Sequence, residues 1–147
     1  MPEKVAVLGL DVGRKRIGVA GCDGTGLLAT GLTTIVRSTY QQDIEQLQAL
    51  IDERNVTLLV VGLPYTMAGK IGSQAKQVQK LVRRISEQIQ LPVEYIDERL
   101  TSIEAENQLK AQKRYSSYNR ALVDQQAAQI ILQQWLDRRR YTTTDID

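Results

Sequence analysis

Apolar positions fall into two spacings along the chain, and the switches between them outline a fold. Val5-Ala-Val-Leu-Gly-Leu10 runs almost without a polar side chain, the pattern of a strand buried on both faces of a sheet. Asp11 ends that run, Gly13 marks a tight turn, and Ile17-Gly-Val-Ala20 is a second short apolar run. After the Gly-rich turn Gly21 to Gly26, Leu32-Thr-Thr-Ile-Val36 is dense in β-branched residues and reads as a third strand. Three strands in series joined by short turns predict an antiparallel meander. The period then changes. Ser38 with Gln41 fits a capping box, and Ile44, Leu47, Leu50 and Ile51 recur at helical spacing up to about Arg54.

Strands and helices alternate from there. Val56-Thr-Leu-Leu-Val-Val61 reads as a buried strand ending at Gly62-Leu63-Pro64, and Tyr65 to Gly72 as a loop bearing Lys70. A helix is expected from Ser73 to about Gln90, with Ala75, Val78, Val82, Ile85 and Ile89 on one face. Pro92 separates it from the short strand Val93-Glu-Tyr-Ile96, which stops at Asp97-Glu98-Arg99. Thr101 and Glu104 form a second capping box opening a helix through about Gln112. The basic segment Lys110 to Arg120 reads as an exposed connection, followed by a last helix from about Asn119 to Arg139. The order β-β-β-α-β-α-β-α-α implies an α/β fold, a mixed five-stranded sheet with helices on its faces. One domain is expected over residues 1–141, with a flexible C-terminal tail over 142–147.

Composition narrows the chemistry more than the fold. At 147 residues, 42% hydrophobic and 24% charged, the chain has the make-up of an ordinary soluble domain. No apolar stretch approaches the length of a membrane span, and the opening residues lack a signal-peptide pattern. A single cysteine, Cys22, excludes an intramolecular disulfide framework and points to a reducing cytoplasm. The absence of histidine excludes Ser-His and Cys-His nucleophile chemistry, His-ligated zinc and histidine acid–base work. A hydrolase made from this chain must rely on carboxylates, lysine, tyrosine or a hard metal bound through oxygen. The net charge of +2 does not by itself call for a polyanion.

Three groups of acids sit where such a metal could use them. Asp11 and Asp97-Glu98 stand at the ends of strands, where sites form in sheets with crossover helices. Asp124 falls within the apolar stripe of the last helix, among Val123, Ala127, Ala128, Ile130, Ile131 and Trp135, and so points inward. Converging carboxylates suit Mg²⁺ or Mn²⁺ flanking a scissile phosphate. The purely structural alternative pairs Asp97 with Arg99, leaves Glu98 at the surface and gives Asp124 to a helix dipole. Arg14, Lys15 and Arg16 lie beside Asp11, and Lys113, Arg114 and Arg120 lead into the helix of Asp124, with Tyr115 and Tyr118 interleaved. Both basic groups are expected to border the site and hold phosphates.

Taken in order, Gly9-Leu-Asp11-Val-Gly13-Arg-Lys-Arg16-Ile-Gly18-Val-Ala20, Val61-Gly-Leu-Pro64, Asp97-Glu98-Arg99-Leu-Thr101 and Val123-Asp124-Gln-Gln-Ala127-Ala128 resemble the successive motifs of the YqgF family. That family is a RuvC-like resolvase family, also described as a nuclease maturing the 5′ end of small-subunit ribosomal RNA. The resemblance runs from residue 5 to about 137. It implies a ribonuclease H-like fold and a catalytic, metal-binding triad of Asp11, Glu98 and Asp124. Asp97 is the neighbour directed to the other side of its strand. Lys70, Arg99 and Thr101 join the basic residues above as nucleic-acid contacts. The loop after Pro64 departs from the family pattern, with Tyr65-Thr66 in place of a more Asn-like pair. The implied partner is nucleic acid, with ribosome-assembly factors as further partners and no membrane. The absence of a clear dimer patch suits a monomer or weak homodimer and favours an RNA precursor over a four-way DNA junction. Two alternatives stay open: a resolvase acting on branched DNA, and a non-catalytic module that binds nucleic acid or assembly factors.

Overall fold

The computed structural model describes residues 4–64, 71–97 and the helix from 120 to 146. The chain forms β1 (Val7–Val12), β2 (Arg16–Cys22), β3 (Ala29–Val36), α1 (Tyr40–Arg54), β4 (Leu58–Leu63), α2 (Ser73–Ile89), β5 (Val93–Asp97) and α3 (Arg120–Ile146). The strands make one sheet in the order β3-β2-β1-β4-β5. β1, β2 and β3 are the expected antiparallel meander, and β4 and β5 add in parallel to β1. The mixed sheet read from the sequence is the one observed.

Strand alternation divides the apolar residues between two cores. Leu8, Leu10 and Val12 of β1 join Ile17, Val19, Leu59 and Val61 beneath α1 and α2, where Leu47, Ile51, Val78 and Val82 meet them. Val7, Ala20, Val60 and Ile96 face the other way and are covered by Ala128, Ile131, Leu132 and Leu136 of α3. Burial on both faces is why these strands read as nearly unbroken apolar runs. Each fully buried Leu or Ile contributes roughly 1.5–3 kcal/mol.

β1 and β4 each lie two residues later than read, so that Asp11 falls inside β1 and does not end it, and beyond such strand-end shifts the structure departs from the sequence reading in four places. The cap of α1 is Thr39, whose hydroxyl accepts from the Gln42 amide at 3.2 Å, and not Ser38. The Ser38 amide instead donates to the buried carboxylate of Asp43, 3.1 Å away. β3 starts at Ala29, three residues before the β-branched run, because Ala29 pairs in register with Cys22. The Asp23 carboxylate locks the preceding turn: the Thr25 hydroxyl and the Leu27 and Leu28 amides all donate to it, holding its pKa below the usual 3.8. The apolar arc of α3 is wider than the stripe expected, since Leu132 and Leu136 are fully buried. Finally, the backbone of 142–146 continues α3 where a tail was expected. No Gly or Pro follows Arg139, and three threonines cost a helix only some tenths of a kcal/mol each. The helix expected from Thr101 to Gln112 and the loop bearing Lys70 lie outside the described residues. No helix among the described residues is long and apolar enough to cross a membrane.

Candidate active site

The first half of the site is built by β1 and α3. Asp11, half-buried, is one residue from the end of β1 and pairs in register with Gly18 of β2. Residues directly opposite in an antiparallel pair point to one face of the sheet. On that face α3 lies so close that a Cβ at Gly18 would stand 2.0 Å from the Asp124 carbonyl oxygen. Two residues before Asp11 the approach is close as well, though less so: a Cβ at Gly9 would be 2.7 Å from the Leu132 Cβ and 3.0 Å from the Ala128 carbonyl oxygen. Two glycines with no side chain, at positions 9 and 18, let the backbone of α3 settle on the sheet. The first turns of α3 therefore bring Asp124 against the strand that flanks Asp11.

Asp124 is held there by a cation. The Arg16 Nε donates to its Oδ2 at 2.6 Å, with the two side chains 27% and 20% exposed. Arg16 is two residues from Gly18 on β2 and so shares its face, and the turn between the strands is closed by the Gly13 amide donating to the Arg16 carbonyl at 2.8 Å. The start of α3 is tied to the edge strand as well, the Thr34 hydroxyl donating to the Ala121 carbonyl at 2.7 Å. Further along, Gln133 accepts from the Ala29 amide at 2.8 Å and donates to the Leu27 carbonyl at 2.9 Å.

Of the site residues expected from sequence, the structure brings Asp11, Arg16 and Asp124 to one face and leaves Arg14 and Lys15 exposed on the adjoining turn. Arg16, expected to meet phosphate, is engaged with the acid of α3. Asp97 is exposed and has the parity of Val93 and Tyr95, which pack on the α1–α2 side, whereas Ile96 faces α3. Glu98, Arg99, Thr101, Lys70, Lys113 and Arg114 lie outside the described residues, and Arg120 is described only as the first residue of α3. Among the described residues no three metal-ligating side chains converge. Sequence reasoning missed two features. It did not see that Arg16 pairs with Asp124, and it passed over Arg37, whose Nη1 donates to the Gly13 carbonyl at 2.7 Å.

A model of the RuvX family, described as a Holliday junction resolvase, matches residues 5–138. The chain belongs to the RuvX family. The resemblance drawn from the YqgF motifs is the same assignment. A curated relative from Synechocystis sp., named "Putative pre-16S rRNA nuclease", is 76% identical over 140 residues, spanning 95% of this chain and 92% of that protein. One of the same name from Crocosphaera subtropica is 67% identical, spanning 94% and 96%. Among solved structures, RuvC of T. thermophilus in complex with a Holliday junction substrate superposes with a TM-score of 0.56 at 13% identity, over 92% of this chain and 96% of that one. The Fowlpox virus resolvase, with substrate Holliday junction DNA, gives 0.56 at 10% identity, over 91% and 98%. These likenesses show that the RuvX chain has the RuvC-type, ribonuclease H-like fold.

Proposed function

We propose that this RuvX protein is a divalent-metal-dependent nuclease that processes the 5′ end of the small-subunit rRNA precursor in the cytoplasm. The observation that carries the reading is the meeting of Asp11 and the Asp124-bearing turn on one face at the carboxyl end of β1, in a chain with no histidine. The one thiol, Cys22, is at the opposite end of β2 from Arg16, so carboxylate oxygens are the donors at hand, and oxygen is what Mg²⁺ and Mn²⁺ take. Asp11 and Asp124 would hold the metal, with Glu98 as third ligand on the strength of the family motif. When bound, the ion supplies a polarised water and neutralises charge at the scissile phosphate. The protein's own part is placement. α3 fixes the Asp124 backbone on Gly18, and Arg16 holds the carboxylate in position. Arg14 and Lys15, exposed on the next turn, supply phosphate contacts, joined by Arg16 when it is released from Asp124 and by Lys70, Arg99, Thr101, Lys113, Arg114 and Arg120. The names of the curated relatives support an RNA precursor, and ribosome-assembly factors fit as partners.

The family description supports a second reading, resolution of a four-way DNA junction. Two symmetric cuts would then require two copies of the chain. Incubation with Mn²⁺ or Mg²⁺ against a precursor containing the rRNA 5′ end and against a junction tests both. The expected result is cleavage of the RNA, reduced roughly a thousandfold in Asp11→Asn, equivalent to about 4 kcal/mol of transition-state stabilisation. Cleavage of the junction alone would transfer the conclusion to the resolvase reading. Binding without cleavage of either, in any divalent ion, would mark a non-catalytic module.

A further inference from the structure

Asp11 and Val12 point to opposite faces of β1, and the face of Val12 carries a cleft of its own. About 110 Å³ in volume, it opens between the β1–β2 turn and α2 and is lined by Arg14, Arg37, Gln74 and Gln77 over a floor that includes Val78 and Leu81. Among the described residues no carboxylate lines it, and none pairs with Arg14 or Arg37. Arg37 is nevertheless fixed: its Nη1 donates to the Gly13 carbonyl at 2.7 Å and its amide to the Lys15 carbonyl at 2.8 Å. Two guanidinium groups with no carboxylate partner among the described residues, one of them oriented by backbone, beside two carboxamides able to donate, form a binding site for a tetrahedral oxyanion. α2 adds to it, since its first turn contains no acid and its cap residue, Gly72, makes no side-chain bond. An adjacent cleft shares Arg37 and Leu81 and brings in Arg84, whose guanidinium lies 3.6 Å from the centre of the Tyr40 ring. That second cleft also contains the carboxylate of Asp43, which already accepts from the Ser38 amide, so the anion site is the first cleft alone.

We infer that this cleft holds a phosphate of the substrate strand, on the opposite face of the sheet from the scissile one. The strand would cross the carboxyl edge of β1 over the exposed Arg14-Lys15 turn, entering the acid site on one side and the arginine cleft on the other. The inference rests on the nuclease reading, and it extends that reading to the path of the strand. A free phosphate ion has the same chemistry, and the experiment separates the two.

The test uses the full chain without divalent metal, a labelled single-stranded RNA from the precursor 5′ end, and inorganic phosphate as a separate probe. Gln74→Glu with Gln77→Glu places two negative charges on exposed positions of α2 and leaves the Arg37–Gly13 bond untouched. Arg14→Gln, on the exposed turn, is the second variant. The double glutamate is expected to weaken RNA binding about tenfold at low salt. Arg14→Gln should lower the slope of log affinity against log salt by about 0.7, the value for one phosphate on a single strand. RNA bound by the wild type and equally well by both variants overturns the inference. A site perturbed by inorganic phosphate in amide NMR, with RNA affinity unchanged in the variants, also overturns it, because the occupant is then the free ion. Failure of the nuclease reading looks different: RNA binding falls in the variants as expected, which supports the cleft, while neither RNA nor junction is cut by the wild type. Absence of any RNA binding by the wild type overturns both.

Discussion

The contact between Arg16 and Asp124 sets what substitution at either residue will do. Both side chains are about a quarter exposed, between a surface pair worth ~0–1 kcal/mol and a buried pair whose breaking costs ~3–5 kcal/mol. Asp124→Asn should therefore lower stability in EDTA by about 1–2 kcal/mol, read from denaturant melts. Arg16→Gln frees the carboxylate of its counter-charge. The rise in melting temperature on adding Mn²⁺ should then be larger in Arg16→Gln than in the wild type, since the ion no longer displaces a cation. An equal rise in both would mean that Asp124 is not a ligand. The inward setting of Asp124 was legible from helical spacing alone. Its partner was not, because Arg16 is 108 residues away and no local pattern links the two. The third acid, Glu98, remains a reading of the motif, outside the described residues.

Elements were legible in proportion to how uniformly they are buried. β1 and β4, apolar on both faces, were readable as strands without any turn chemistry. The start of α1 was readable only to within a residue, because Ser38 and Thr39 are both good caps and backbone geometry chooses between them. α3 was underestimated since it crosses the whole sheet, and a helix so placed buries more than one narrow stripe. Its seat on Gly18 yields a sharp prediction. The added methyl of Gly18→Ala collides with backbone, not with a side chain that can swing away, so α3 must shift as a body. A loss of about 3 kcal/mol is expected, at the upper end for overpacking. Metal-dependent cleavage should fall as well, even at temperatures where circular dichroism shows the variant folded. Unchanged melting and unchanged cleavage would show that the helix does not sit on that strand as described.

One sheet with a core on either side should make the described elements unfold as a single cooperative unit. Leu47 on α1 and Leu132 on α3 are both fully buried and are separated by the sheet. Leu47→Ala and Leu132→Ala should each cost about 2–5 kcal/mol and move one and the same thermal transition. A second transition in either variant would mean that α3 unfolds alone. The topology of this unit was legible because the meander and the two crossovers follow from short turns and helix-length connections. The clefts were not, since they depend on how side chains from distant segments come to rest.

The position of α3 in the chain has a consequence for synthesis. Asp11 and Arg16 emerge from the ribosome early, and the helix that completes their surroundings is the last described element made. At 5–20 residues per second, the 108 positions from Arg16 to Asp124 take roughly 5–20 s to add. Throughout that interval the nascent sheet lacks the cover of Val7, Val60 and Ile96, and Asp11 lacks the acid opposite it. A growing chain is therefore sticky and, on the role proposed for Asp124, catalytically silent until this one helix arrives.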